Sequence, residues 1–69
     1  MSEYRASPVP MPGNPAANRV GDKTGPFRIL IESREPGGPW QVVEYRGENL
    51  PYDEAFAEAG RIHQNLNKN

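Results

Sequence analysis

Residues 27–46 read Phe27-Arg28-Ile29-Leu30-Ile31-Glu32-Ser33-Arg34-Glu35-Pro36-Gly37-Gly38-Pro39-Trp40-Gln41-Val42-Val43-Glu44-Tyr45-Arg46. Two runs rich in β-branched and aromatic residues are parted by a Pro-Gly-Gly-Pro break, and each run alternates as a strand does. Pro36 has the fixed φ that the second position of a type I turn needs, and a glycine follows where a bulge turns φ positive. The expected unit is therefore an antiparallel hairpin, with strands over 27–34 and 40–46 and a three-residue loop.

An uninterrupted register around that loop sets Glu35 opposite Pro39 and Ile31 opposite Val43. One face then carries Phe27, Ile29, Ile31, Val43 and Tyr45, with Ser33 and Gln41 as polar company. The other carries Arg28, Glu32, Arg34, Glu44 and Arg46 together with Leu30, Trp40 and Val42. Slipping the register by one places Glu44 and Arg46 among the aliphatics, where an unpaired charge is costly, so the unslipped register is the expected one.

Downstream, Glu48-Asn49-Leu50-Pro51 reads as a turn into a helix. Leu50, held extended by the proline after it, is the expected cap, and Pro51 is suited to the first helical position. Asp53 and Glu54 fall in the first turn, where negative charge complements the helix dipole. Ala55, Phe56, Ala59, Ile62, His63 and Leu66 recur at spacings of three and four, with Glu58, Arg61, Gln64, Asn65 and Lys68 turned away, which predicts a helix over 51–66. At roughly 24 Å it matches an eight-residue strand of roughly 26 Å and lies along the inner hairpin face. The fold class expected is α+β, a β-hairpin plus a C-terminal helix (ββα) over 27–69.

Residues 1–26 hold Pro8, Pro10, Pro12, Pro15 and Pro26, five of the eight prolines in the chain, with few large side chains between them. Such a composition cannot offset its ordering entropy alone, so this segment is expected as an extended or disordered tail, or as a strip ordered by a partner. Ser7-Pro8-Val9-Pro10-Met11-Pro12 favours a polyproline II course.

With 69 residues, 35% of them hydrophobic, the chain accommodates one small domain and no large buried active site. The formal charge is −1, and no run of like charge marks a tail for nucleic acid or acidic membranes. No cysteine is present, which rules out disulfides and thiolate metal sites and suits a reducing compartment. No apolar run reaches the roughly 18 residues of a membrane span, and the N-terminus lacks a basic start and an apolar h-region. The expected setting is the cytoplasm.

No catalytic, metal-binding or cofactor-binding signature stands in the sequence. His63 is the only histidine, with no cysteine and no carboxylate at i−4, so it lacks the company of a metal ligand. No G-x-S-x-G turn presents a serine nucleophile, and Gly21-Asp22-Lys23-Thr24-Gly25 shares only a few letters with a phosphate-binding loop. Glu32 and Glu44 share a face in the unslipped register, but with arginines beside them on an open surface they read as balanced, solvated charge. The chain is expected to be no enzyme and to need no cofactor.

A hairpin with one helix leaves both sheet edges open and leaves Leu30, Trp40 and Val42 in water. Covering roughly 250–350 Å² of apolar surface there is worth roughly 6–9 kcal/mol before entropy costs, comparable to the whole stability of a small domain. The surface can be met by a second copy that joins two hairpins into a four-stranded sheet, by Val9, Met11 or Val20 of the chain's own tail, or by a different protein. The simpler alternative is Trp40 stacked on Arg34 as a cation–π pair. The function expected is protein–protein interaction, that of a regulator or inhibitor docking on a larger protein, of a size that a phage protein can have. Its partner-binding residues are Leu30, Trp40 and Val42, rimmed by Arg28, Arg34, Glu44 and Arg46. The rival is a nucleic-acid accessory that uses the arginine-bearing ribbon. Interleaved Glu32 and Glu44 oppose it, as does the balance over 27–69 of five positive against seven negative side chains.

Overall fold

The hairpin forms where the two β-rich runs place it. The computed structural model describes residues 2–67, so Met1, Lys68 and Asn69 lie outside the described residues. Strand β2 spans Phe27–Arg34 and strand β3 spans Gln41–Leu50. The turn between them closes through the Gly38 amide, which donates to the Glu35 carbonyl at 2.8 Å, with Gly37 at φ 80°. Helix α1 spans Tyr52–Leu66. The fold is α+β, with one addition to the hairpin and helix. The proline-rich segment supplies strand β1, Glu3–Pro10, which pairs antiparallel with the other side of β2 and gives a three-stranded sheet in the order β1-β2-β3.

Prolines are compatible with β1 because they recur at every second residue. Pro8 lies opposite Ile29 and Pro10 opposite Phe27. In an antiparallel ladder only alternate residues exchange N–H···O=C bonds with the neighbour, so prolines at the other positions remove no ladder bond. The Met11 amide, one residue beyond the strand, donates to the Pro26 carbonyl at 3.1 Å, in phase with ladder donors at odd-numbered residues.

Near the turn the expected register holds: Ser33 pairs with Gln41 and Glu32 with Val42. One step further Ile31 pairs with Glu44 rather than Val43, Leu30 with Tyr45 and Ile29 with Arg46. Val43 is an extra residue in β3, a bulge that shifts everything after it by one. Tyr45 therefore joins the face of Leu30, while Glu44 and Arg46 join the face of Ile29 and Ile31. The desolvation expected to forbid this does not arise, because α1 lies against β1 and β2 and only touches β3, leaving Glu44 and Arg46 exposed. A second irregularity separates Ile29/Arg46 from Phe27/Leu50, with Gly47 at φ 75° and Asn49 at φ 54°. It carries β3 four residues past the expected end. Leu50 thus ends β3 rather than capping the helix, and Pro51 is the N-cap, one position before its expected place.

The core lies between α1 and the inner face of β1 and β2. Ile29 and Ile31, 1% and 2% exposed, pack on Ala59 and Ile62, with Ala6 and Leu66 at the margin. Phe27 packs on Ala55 and Ala16 and meets the Tyr52 ring edge-on at 5.2 Å. Leu50 touches both groups. The helix stripe is narrower than expected: Phe56 is 61% exposed and beside Tyr52, and His63 is exposed as well. Alanines carry the contact instead, and they let helix and sheet approach closely.

The long connection from β1 to β2 is held by one buried asparagine. Asn14 caps the short 3-10 turn Pro15–Asn18, accepting from the Ala16 amide at 3.0 Å. Its Nδ2 donates to the Thr24 carbonyl at 3.0 Å and the Pro26 carbonyl at 2.9 Å. Gly25, at φ 82°, passes so close that a Cβ there would lie 2.5 Å from Asn14 Oδ1. Earlier in the same connection, Asp22 accepts from the Thr24 hydroxyl at 2.6 Å and the Thr24 amide at 2.9 Å. These two bonds, helped by Arg19, hold the Asp22 carboxyl below the usual carboxylate range.

Candidate functional site

Because α1 lies on one side of the sheet, the opposite side carries no covering element among the described residues. Pairing fixes what stands there. Glu3 lies beside Arg34; Arg5 beside Glu32 and then Val42; Ser7 beside Leu30 and then Tyr45; Val9 beside Arg28. These are alternate residues of β1 and of β2, joined by Val42 and Tyr45 of β3, which the Val43 bulge leaves on the same side, and together they form the outer face.

Trp40 closes one end of it. The Arg5 guanidinium lies 4.1 Å and that of Arg34 4.6 Å from the centre of the indole, and the side chain is half-buried. Each of these arginines is also tied to a carboxylate: Arg5 Nε donates to Glu32 at 2.8 Å and Arg34 Nη2 to Glu3 at 3.2 Å. The result is a chain of contacts, Glu3–Arg34–Trp40–Arg5–Glu32, that spans all three strands. At the other end Arg28 stacks on Tyr45 at 3.7 Å. The Arg28 Nε is buried there with no hydrogen-bond partner among the described residues.

Of the seven residues expected to bind a partner, Leu30, Trp40, Val42, Arg28 and Arg34 do share this face. Glu44 and Arg46 do not. The Val43 bulge turns them to the helix side, where they pair with each other at 3.3 Å. Glu32 and Glu44 consequently stand on opposite sides of the sheet. The Arg34–Trp40 stack is present, with Arg5 as a second cation, and it is Arg5 rather than Val9, Met11 or Val20 that the N-terminal segment lays over the indole.

The contacts of the site also bring in Glu3, Arg5, Tyr45 and Glu32, which the seven expected residues leave out; of these, Glu32 alone was expected on this face, as balanced charge. A signal for the first two was present: Glu3, Arg5, Ser7 and Val9 alternate with Tyr4, Ala6, Pro8 and Pro10, the period of a strand with its prolines in phase. Tyr45 was misplaced only through the bulge.

Among the described residues no three His, Asp or Glu side chains gather as metal ligands would. No described helix is long and apolar enough to cross a membrane. An open depression of about 480 Å³ lies beside Val20, Phe27 and Tyr52, away from the outer face. Comparison with known proteins matches no family model, no curated protein and no solved structure.

Proposed function

We propose that this chain is a non-enzymatic protein-interaction module, a regulator or inhibitor that docks through its outer sheet face on a larger protein in the cytoplasm. One observation carries the reading: the helix covers one side of β1 and β2, while the other side of the sheet presents Trp40, Tyr45, Leu30 and Val42 with no element over them among the described residues. Tryptophan, tyrosine and arginine are the residues on which protein interfaces concentrate their binding energy. Here the arginines are already held by stacking and ion pairs, so less side-chain freedom remains to be lost on docking. Glu3 and Glu32 interleave with Arg5, Arg28 and Arg34, which suits a mixed protein surface better than a row of phosphates.

A photo-crosslinking amino acid at Val42, on the outer face and 56% exposed, compared in cells with one at Gln64 on the helix, tests this. The expected outcome is discrete protein adducts from position 42 and not from 64. Nucleic-acid adducts from position 42 would establish the rival, and equal adducts from both positions would remove the outer face from consideration.

A further inference from the structure

The two edges of the sheet differ in what their backbones offer. Ladder bonds from β1 to β2 are made at odd-numbered residues, so Tyr4, Ala6, Pro8 and Pro10 turn their backbones to the free edge. Two of those four lack an N–H, and Pro12 continues the pattern just past the strand. That edge is blunted against strand addition. The β3 edge is not. Since the even-numbered residues of β2 serve β1, its odd-numbered residues serve β3, and Ile31/Glu44 and Ile29/Arg46 are the bonded pairs. Tyr45, between them, therefore directs both its N–H and its C=O away from the sheet. The same strand carries Val42, Val43 and Tyr45, which are 56%, 50% and 46% exposed.

We infer that two copies of this chain pair antiparallel along β3, about a two-fold axis through Tyr45, joining two three-stranded sheets into one of six. Charge favours a second copy as the occupant and sets this register above its immediate neighbours, while the irregular backbone at Gly47 and Asn49 disfavours an axis further along β3. With the axis at Tyr45, the two Tyr45 residues exchange backbone hydrogen bonds, and Glu44 of each copy stands opposite Arg46 of the other. An axis at Glu44 or at Arg46 would oppose like charges. The sequence Glu44-Tyr45-Arg46 is thus complementary to itself, as a two-fold interface requires. The helix only touches β3 and leaves room on the inner side for the second copy. The Val43 bulge and Gly47 keep the seam short, so the dimer is a weak one in exchange with monomer. This inference concerns the edge and does not depend on what the outer face binds.

The test is sedimentation equilibrium from about 10 µM to about 1 mM on the wild-type chain, on Glu44→Arg, on Arg46→Glu, on the double exchange, and on an equimolar mixture of the two single variants. Wild type should dimerise, and each single variant should associate about tenfold less. The mixture should recover association, because the Glu44→Arg chain brings two cations and the Arg46→Glu chain two anions to the seam. The double exchange should recover it as well. Both single variants lack the 3.3 Å pair within the chain, so recovery in the mixture cannot come from restoring it. A wild-type monomer throughout the range would overturn the inference, as would single variants that dimerise like wild type or a mixture that stays monomeric. Circular dichroism of each variant verifies the fold, and Trp40→Ala, which alters the outer face alone, should leave the dimer unchanged.

Discussion

The two faces of this sheet are ordered by different physics. The inner face holds small, close-packed apolar groups, Ile29 and Ile31 against Ala59 and Ile62, with almost no surface left in water. The outer face is held by planes and charges: indole under guanidinium, guanidinium beside carboxylate, phenol under guanidinium. Burial is strong and indifferent to direction, whereas stacked and paired charges are individually weak but fix orientation. One face therefore supplies the stability and the other a shaped surface.

The sharpest contrast between them is expected from Ile31→Ala. Removing that side chain from the inner face should destabilise by about 2–5 kcal/mol, enough to unfold a domain this small, read as loss of the cooperative urea transition. Asn14→Ala, which leaves two carbonyls and the Ala16 amide without the side-chain partner they have now, should cost about 2 kcal/mol and lower the midpoint of the same transition. Trp40→Ala should cost about 1–2 kcal/mol, since the indole is half-buried and shared by two cations, while Phe56→Ala should cost less than about 1 kcal/mol because that ring is 61% exposed. If Phe56→Ala proves the more damaging, the division between faces is misdrawn. The smallest effect is the Arg5–Glu32 coupling, about 0.5 kcal/mol in a double-mutant cycle and diminishing with added salt.

Much of the fold was legible where local chemistry and tertiary packing agree. Strand β2 occupies the span its alternation marks, and the Pro-Gly-Gly turn sets the first pairs of the hairpin. Three features were not legible, each for its own reason. Val42-Val43 are equally good strand residues, so nothing local says that one is extra; only the uncovered side of β3 makes the shift tolerable for Glu44 and Arg46. Phe56 has the spacing of a core residue, yet a helix seated on alanines presents a narrower stripe than its apolar residues suggest. β1 was obscured by composition, since prolines that argue against a central strand are harmless at alternate positions of an edge. Of the candidate site, Arg28, Leu30 and Arg34 of β2, Trp40 just before β3 and Val42 near its start could be read, while Glu3 and Arg5 required the pairing of β1.

The topology also orders events in time. β2, β3 and α1 are consecutive in the chain and meet across short turns, whereas β1 reaches β2 only by closing the connection pinned at Asn14. Loop closure delays such contacts, so the hairpin is expected to assemble first and β1 to dock last and undock first. Slower amide exchange in β2 than in β1 would register that hierarchy. Because Arg5 travels with β1, the indole of Trp40 loses one of its two cations whenever the strand lifts, which makes its fluorescence a built-in reporter of the last step of folding.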